Sequence, residues 1–162
     1  MSSRAAWRLE TLGFPNVHEY VAGKLDWMAA GLPTEGTNAS LPRAGDVARK
    51  DVPTARLGER LGEVRDRARA KGWDAVVVTN DDFVVFGLLR ARELDQDKDL
   101  RIEQAMRPGP STFRPHVPIA EMAEYMADHK LESSPVTTSD GRLVGLLLAR
   151  DAVAAVLKGG ND

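Results

Sequence analysis

The apolar residues Leu57, Leu61, Val64 and Ala68 are spaced four, three and four apart, which places them on one face of an α-helix. The period then changes. Ala75, Val76, Val77, Val78 and Thr79 form a β-branched run of strand length, Asn80, Asp81 and Asp82 supply a turn, and 84–89 predicts a second strand with a helix from about Ala91. The same order returns downstream: Ile119, Met122, Ala123 and Met126 share a helical face, followed by a strand at 134–137, a Ser139-Asp140-Gly141 turn, a strand at 143–148 and a last helix over 150–157. A tight turn joins the two strands of each set, so each pair is an antiparallel hairpin.

The two sets stand in a constant register. An offset of 58 positions pairs Gly87 with Gly145, Glu93 with Asp151, Thr54 with Thr112, Arg56 with Arg114, Glu63 with Glu121, Val78 with Val136, Thr79 with Thr137 and Asp82 with Asp140, without a gap. The chain is therefore read as α/β (α+β), with two copies of an α-β-β-α unit, each behind a short lead-in strand. A unit of this size cannot bury both faces of its own sheet, which predicts packing across a pseudo-twofold axis, with the groove between the copies as the place for function. Upstream, 3–34 reads as helix, short strand at 16–21 and helix, with Ala6, Leu9 and Leu12 on one stripe. Turn formers between Pro33 and Gly45 mark a linker.

Composition narrows the chemistry. A hydrophobic share of 43% with 28% charged residues over 162 positions is that of a globular chain with a real core. The sequence contains no cysteine, which excludes disulfides, a thiolate nucleophile and Cys-based zinc sites. His18, His116 and His129 lack metal-ligand spacing, and no metal is expected. A net charge of −2 exerts no long-range pull on nucleic acid. The absence of a long apolar run argues against a membrane span or secretion signal and for a cytoplasmic protein. The basic run Arg60, Arg65, Arg67, Arg69 and Lys71 is interleaved with acids, Glu63 and Arg67 having helix ion-pair spacing, and reads as a solvated face. Arg107-Pro108-Gly109-Pro110 reads as the turn between copies. No Gly-rich phosphate loop, Ser/His/Asp set or close carboxylate pair points to an enzyme.

Taken together, Asp51-Val52-Pro53-Thr54, the helix, Ser134-Pro135-Val136, Asp140-Gly141, Leu143-Val144-Gly145-Leu146 and Arg150-Asp151 resemble a tandem pair of CBS domains, a Bateman module, over about two thirds of the chain. The resemblance implies a regulatory sensor that binds an adenosine-type ligand (AMP, ADP, ATP or S-adenosylmethionine) between the copies and forms homodimers. It implies division into CBS 1 at 51–106 and CBS 2 at 107–160. The family's ribose-phosphate signature falls on Gly145 to Asp151, where one carboxylate suits a ribose diol and the first helical turn suits a phosphate. The implied ligand residues are Asp151, Arg150, Thr112, Ser134 and Pro135, with Glu93, Arg92, Arg90, Thr54 and Val77 from the first copy. The signature's hydroxyl position departs from the pattern, being Leu148 in one copy and Arg90 in the other.

A second resemblance lies upstream. Residues 2–9, Leu12-Gly13-Phe14, Asn16-Val17, Gly23-Lys24, Asp26-Trp27 and Gly31-Leu32-Pro33 are similar to the closing helix, strand and helix of a rhodanese domain, giving a remnant at 1–36 and a linker at 37–50. That family's catalytic cysteine belongs just before the helix starting near Ser3, about where this chain begins, as in a truncated or vestigial domain. Without a thiol, sulfur transfer is excluded for this polypeptide. The exposed stripe predicts packing on the CBS pair or on a second protomer. The alternative to a sensor is a ligand-free dimerisation module that serves a sulfurtransferase-type partner.

Overall fold

The computed structural model describes residues 3–36 and 40–159. The amino-terminal section holds α1 (Ser3–Thr11) and α2 (Gly23–Ala29), followed by a one-turn lead-in helix α3 (Ala44–Val47). Copy one is β1 (Thr54–Ala55), α4 (Leu61–Ala70), β2 (Val76–Thr79), β3 (Val85–Leu89) and α5 (Ala91–Leu94). A second lead-in carries α6 (Ile102–Ala105) and β4 (Arg107–Pro108), and copy two holds α7 (Ile119–Asp128), β5 (Ser133–Thr137), β6 (Leu143–Leu148) and α8 (Ala149–Gly159).

Each predicted helical face is buried. On α4 these are Leu61, Val64 and Ala68, and on α7 Ile119, Met122 and Met126. Leu57 falls outside the first stripe, lying before the helix and 48% exposed. Both helices end on a left-handed residue, Gly72 at φ 73° and Lys130 at φ 51°, which are equivalent positions. A Cβ is disfavoured in that region. Lys130→Gly is therefore expected to stabilise the fold by up to about 1 kcal/mol, read from the urea midpoint.

The sheet shows the repeat residue by residue. β2 pairs antiparallel with β3 through Val76 to Leu89, Val77 to Leu88 and Val78 to Gly87, and β5 with β6 through Ser134 to Leu147, Pro135 to Leu146 and Val136 to Gly145, with a register shift at the same place in both. The pseudo-twofold axis passes where the hairpins meet: Val84 bridges Arg142, with Val85 N donating to Gly141 O (3.1 Å) and Leu143 N to Phe83 O (2.9 Å).

The lead-ins cross over. β4, which precedes copy two, pairs with β3 of copy one, and Arg49, which precedes copy one, exchanges two 2.9 Å backbone bonds with Leu146 of copy two. The stretch read as a linker is thus part of the sheet system from Arg43 onward, with Ala44 and Ala48 buried beneath α7 and α8. Arg107-Pro108, read as a turn, is a strand for the same reason. The cores interlock as well: Leu146 and Leu148 of β6 join copy one's cluster, while Leu147, on the opposite face, joins copy two's.

Two local expectations are corrected. No strand forms at 16–21, where the chain runs as coil into a turn with Val21 91% exposed; alternation alone makes no strand without a neighbour to pair with. The amino-terminal segment is therefore helix, coil, helix. Helix α1 buries none of its residues, whereas the α2 region touches copy two through Ser139 Oγ to Asp26 Oδ1 (3.1 Å) and the first lead-in through Arg43 Nη2 to Thr34 Oγ1 (2.9 Å). Arg67 pairs with Glu59 (2.9 Å) rather than Glu63, because its guanidinium also reaches Thr54 O (3.1 Å) toward the sheet.

Candidate functional site in the inter-repeat groove

The pseudo-twofold axis organises a cleft of about 350 Å³. Its walls are matched positions of the two copies: Asp74 with Glu132, Ala75 with Ser133, Arg90 with Leu148 and Ala91 with Ala149, with Arg150 on the rim. A hollow of about 240 Å³ adjoins it through Arg90 and Ser133, and continues to Arg107, Ser111 and Ser134. Strand ends and first helical turns meet here because both hairpins point the start of α5 and of α8 toward the axis.

The two implied ribose acids are already engaged, each by the arginine of a crossing lead-in. Asp151, in the first turn of α8, accepts from Arg49 Nε (2.6 Å) and Nη2 (3.1 Å), a two-pronged pairing. Glu93, buried in α5, receives Arg107 Nε at 3.0 Å and caps its own helix by accepting from Arg90 N (3.1 Å). Arg49 and Arg107 are equivalent crossing positions, so each lead-in closes an ion pair with the opposite copy. The Arg49 hydrogen bonds, opposed by partial desolvation and aided by the charges of Arg49 and Arg150, hold the Asp151 carboxyl below the usual carboxylate range. Because the folded value is lowered, this stabilisation is complete above the unfolded value near 4 and is lost as pH falls through the folded one. The stability gap between wild type and Asp151→Asn is expected to close below about pH 4, measured by thermal melts across pH.

The other implied residues divide. Arg90 donates to Ser133 O (Nη2, 3.0 Å) and Ser133 Oγ (Nε, 3.4 Å), bridging the copies at the groove. Ser134 Oγ donates to Ser111 O (2.7 Å) beside the hollow, and Arg150 and Arg92 are exposed near the helix starts. Val77 is sealed in the core with no exposure, and Pro135 is buried in β5; as equivalent central strand positions they support the site without lining it. Thr54 is half-buried on β1 with its carbonyl taken by Arg67, and Thr112 is exposed while its neighbour Ser111 faces the hollow.

Arg49, Arg107, Ser111, Ser133 and Leu131 were not anticipated. The signal was present, since the 58-residue offset extended to the lead-ins pairs Arg49 with Arg107 just as it pairs Asp151 with Glu93. Among the described residues no cluster of three or more His, Asp or Glu is placed to hold a metal, and no helix is long and apolar enough to cross a membrane.

Residues 99–158 match the family model of the CBS domain. An uncharacterized protein of Methanopyrus kandleri is 25% identical over 115 residues, a match covering 66% of this chain and 59% of that protein. The chain thus spans less than two thirds of that relative's length. The solved cytosolic domain of the Mg2+ channel MgtE in complex with ATP superposes with a TM-score of 0.64 at 26% identity, covering 70% of this chain and 48% of that one. The CBS domain pair of MJ0100, in complex with 5′-methylthioadenosine and S-adenosyl-L-methionine, gives 0.64 at 19% identity, covering 75% and 99%. CBSX2 in complex with AMP gives 0.66 at 18%, covering 74% and 99%. The fold is that of a CBS pair.

Proposed function

From the premise that the chain carries a CBS domain and folds as a CBS pair, we propose that it is a regulatory ligand-sensing module which takes an adenosine-type ligand between its repeats. The observation that carries this reading is the groove on the pseudo-twofold axis, walled by both copies and edged by Arg90 and Arg150. The pairs solved with ATP, AMP and S-adenosyl-L-methionine support the same ligand class. A molecule touching both walls favours one relative orientation of the copies, by no more than its differential affinity for the two arrangements. The readout is then passed to a regulated protein or a second protomer.

Binding to the folded state alone also stabilises it, by about 2.7 kcal/mol at a ligand concentration one hundred times Kd. Calorimetry and thermal melts of the full chain with AMP, ADP, ATP and S-adenosylmethionine are expected to show binding and a raised Tm for at least one of them. If none binds at millimolar concentration, the sensor reading is wrong.

One observation favours the second reading, a ligand-free interaction module: both acids at the ribose position are neutralised by arginines of the chain itself. Under that reading the amino-terminal helices, similar to the end of a rhodanese domain, serve as a docking appendage without sulfur chemistry, since the chain has no thiol. A specific partner captured equally with and without nucleotide would support it.

A further inference from the structure

Resting on the sensor reading, we infer that the two symmetry-related halves of the groove have diverged: the half beside Glu93 is an anion site that takes the phosphate of a nucleotide, and the half beside Asp151 is filled by the chain's own side chains, so each chain holds one such ligand. The open half is the hollow of about 240 Å³ with Arg90, Arg107, Ser111, Leu131, Ser133 and Ser134 on its walls. The equivalent positions beside Asp151 are Leu148, Arg49, Pro53, Trp73, Ala75 and Val76. Every hydroxyl of one half is an apolar group in the other.

Trp73 carries the plug, since Leu148 and Ala75 also face the open cleft on the axis. Trp73 and Leu148, each 7% exposed, belong to one core cluster, and the Arg49 guanidinium lies 5.9 Å from the Trp73 ring centroid while its other edge holds Asp151. Where Trp73 fills space, Leu131 is a smaller group; where Leu148 presents methyls, Arg90 presents a guanidinium. The bonds of Arg90 to Ser133 fix its plane and leave further N–H donors for a ligand. Arg107 is ion-paired with Glu93, whose carboxylate lies buried behind it, so the hollow is walled by Arg90, by an arginine whose charge Glu93 offsets and by three serine hydroxyls, of which Ser133 and Ser134 already have partners. Such a wall, with Arg90 as its added charge, matches a phosphate and gives little to an uncharged nucleoside, whereas the other wall keeps only Arg49, taken by Asp151, among apolar groups.

Calorimetry of the full chain with AMP and adenosine as probes tests the site. The expected result is one AMP per chain, at least tenfold weaker binding of adenosine, and at least tenfold weaker AMP binding in Arg90→Leu and Arg90→Gln. Arg69→Leu, which removes an equal charge on the outer face of α4, is expected to bind as wild type. Melts confirm that each variant is folded, and the two Arg90 variants give the same answer if the guanidinium is what matters. Two AMP per chain, equal affinity for adenosine, or unchanged binding in both folded Arg90 variants overturns the divergence while leaving the sensor reading standing. No binding of any adenosine ligand ends the sensor reading and the anion site with it. The plug has its own readout: with Trp7→Phe and Trp27→Phe in place, acrylamide is expected to quench Trp73 as slowly as a buried indole, and rapid quenching disproves the plug whatever the ligands do.

Discussion

Leu146→Ala is expected to destabilise the whole chain by about 2 to 5 kcal/mol, in a single transition. Leu146 belongs to copy two by sequence, yet its side chain has no exposure and sits in the cluster built from copy one. Both of its backbone groups bond Arg49 of the crossing lead-in, while Pro135 stands opposite it in the hairpin. Truncation opens a cavity at the contact between the repeats, so neither copy can retain its stability alone. Urea unfolding followed by circular dichroism and by tryptophan fluorescence measures this. Two separated transitions, or a loss under about 1 kcal/mol, show that the copies do not share a core.

Gly145→Ala is the second large effect, with an expected cost of about 1 to 3 kcal/mol. A Cβ at this position meets Arg49 O at 2.8 Å and the Arg49 carbonyl carbon at 3.1 Å, both backbone atoms that cannot step aside without breaking the two bonds to Leu146. The equivalent Gly87 faces Met106 and the backbone of Arg107 in the same manner. Displacing Arg49 also loosens its grip on Asp151. The acid dependence that separates wild type from Asp151→Asn should therefore weaken in Gly145→Ala, and an unchanged Tm together with an unchanged pH profile contradicts the crossing geometry.

Much of this architecture was legible along the chain. Periodicity located α4, α7 and both hairpins, because a helical stripe or a β-branched run reports burial on one or two faces of a local element. The offset located the axis as well, since Val84 and Arg142, which meet on it, are themselves 58 positions apart. Where pattern failed, pairing was missing or remote. The alternation at 16–21 has no neighbouring strand, and the polar, turn-rich run around Arg43 to Arg49 takes its order from β6, almost one hundred residues away. The residues that the resemblance implies for a ligand divided likewise: Arg90 and Ser134 stand at the groove, whereas Val77 and Pro135 are strand interior, a distinction set by which face each strand turns inward.

From the sequence alone came the duplication, the antiparallel hairpins and the candidate acids, all of which rest on local spacing and on comparison of one half with the other. Tertiary structure alone decided that the lead-ins exchange between halves, that Arg49 and Arg107 meet those acids, and that Trp73 is buried where its counterpart Leu131 lines a hollow. The physical reason is that charge pairing and cavity filling depend on distances through space, which a folded chain creates between residues that no local period connects.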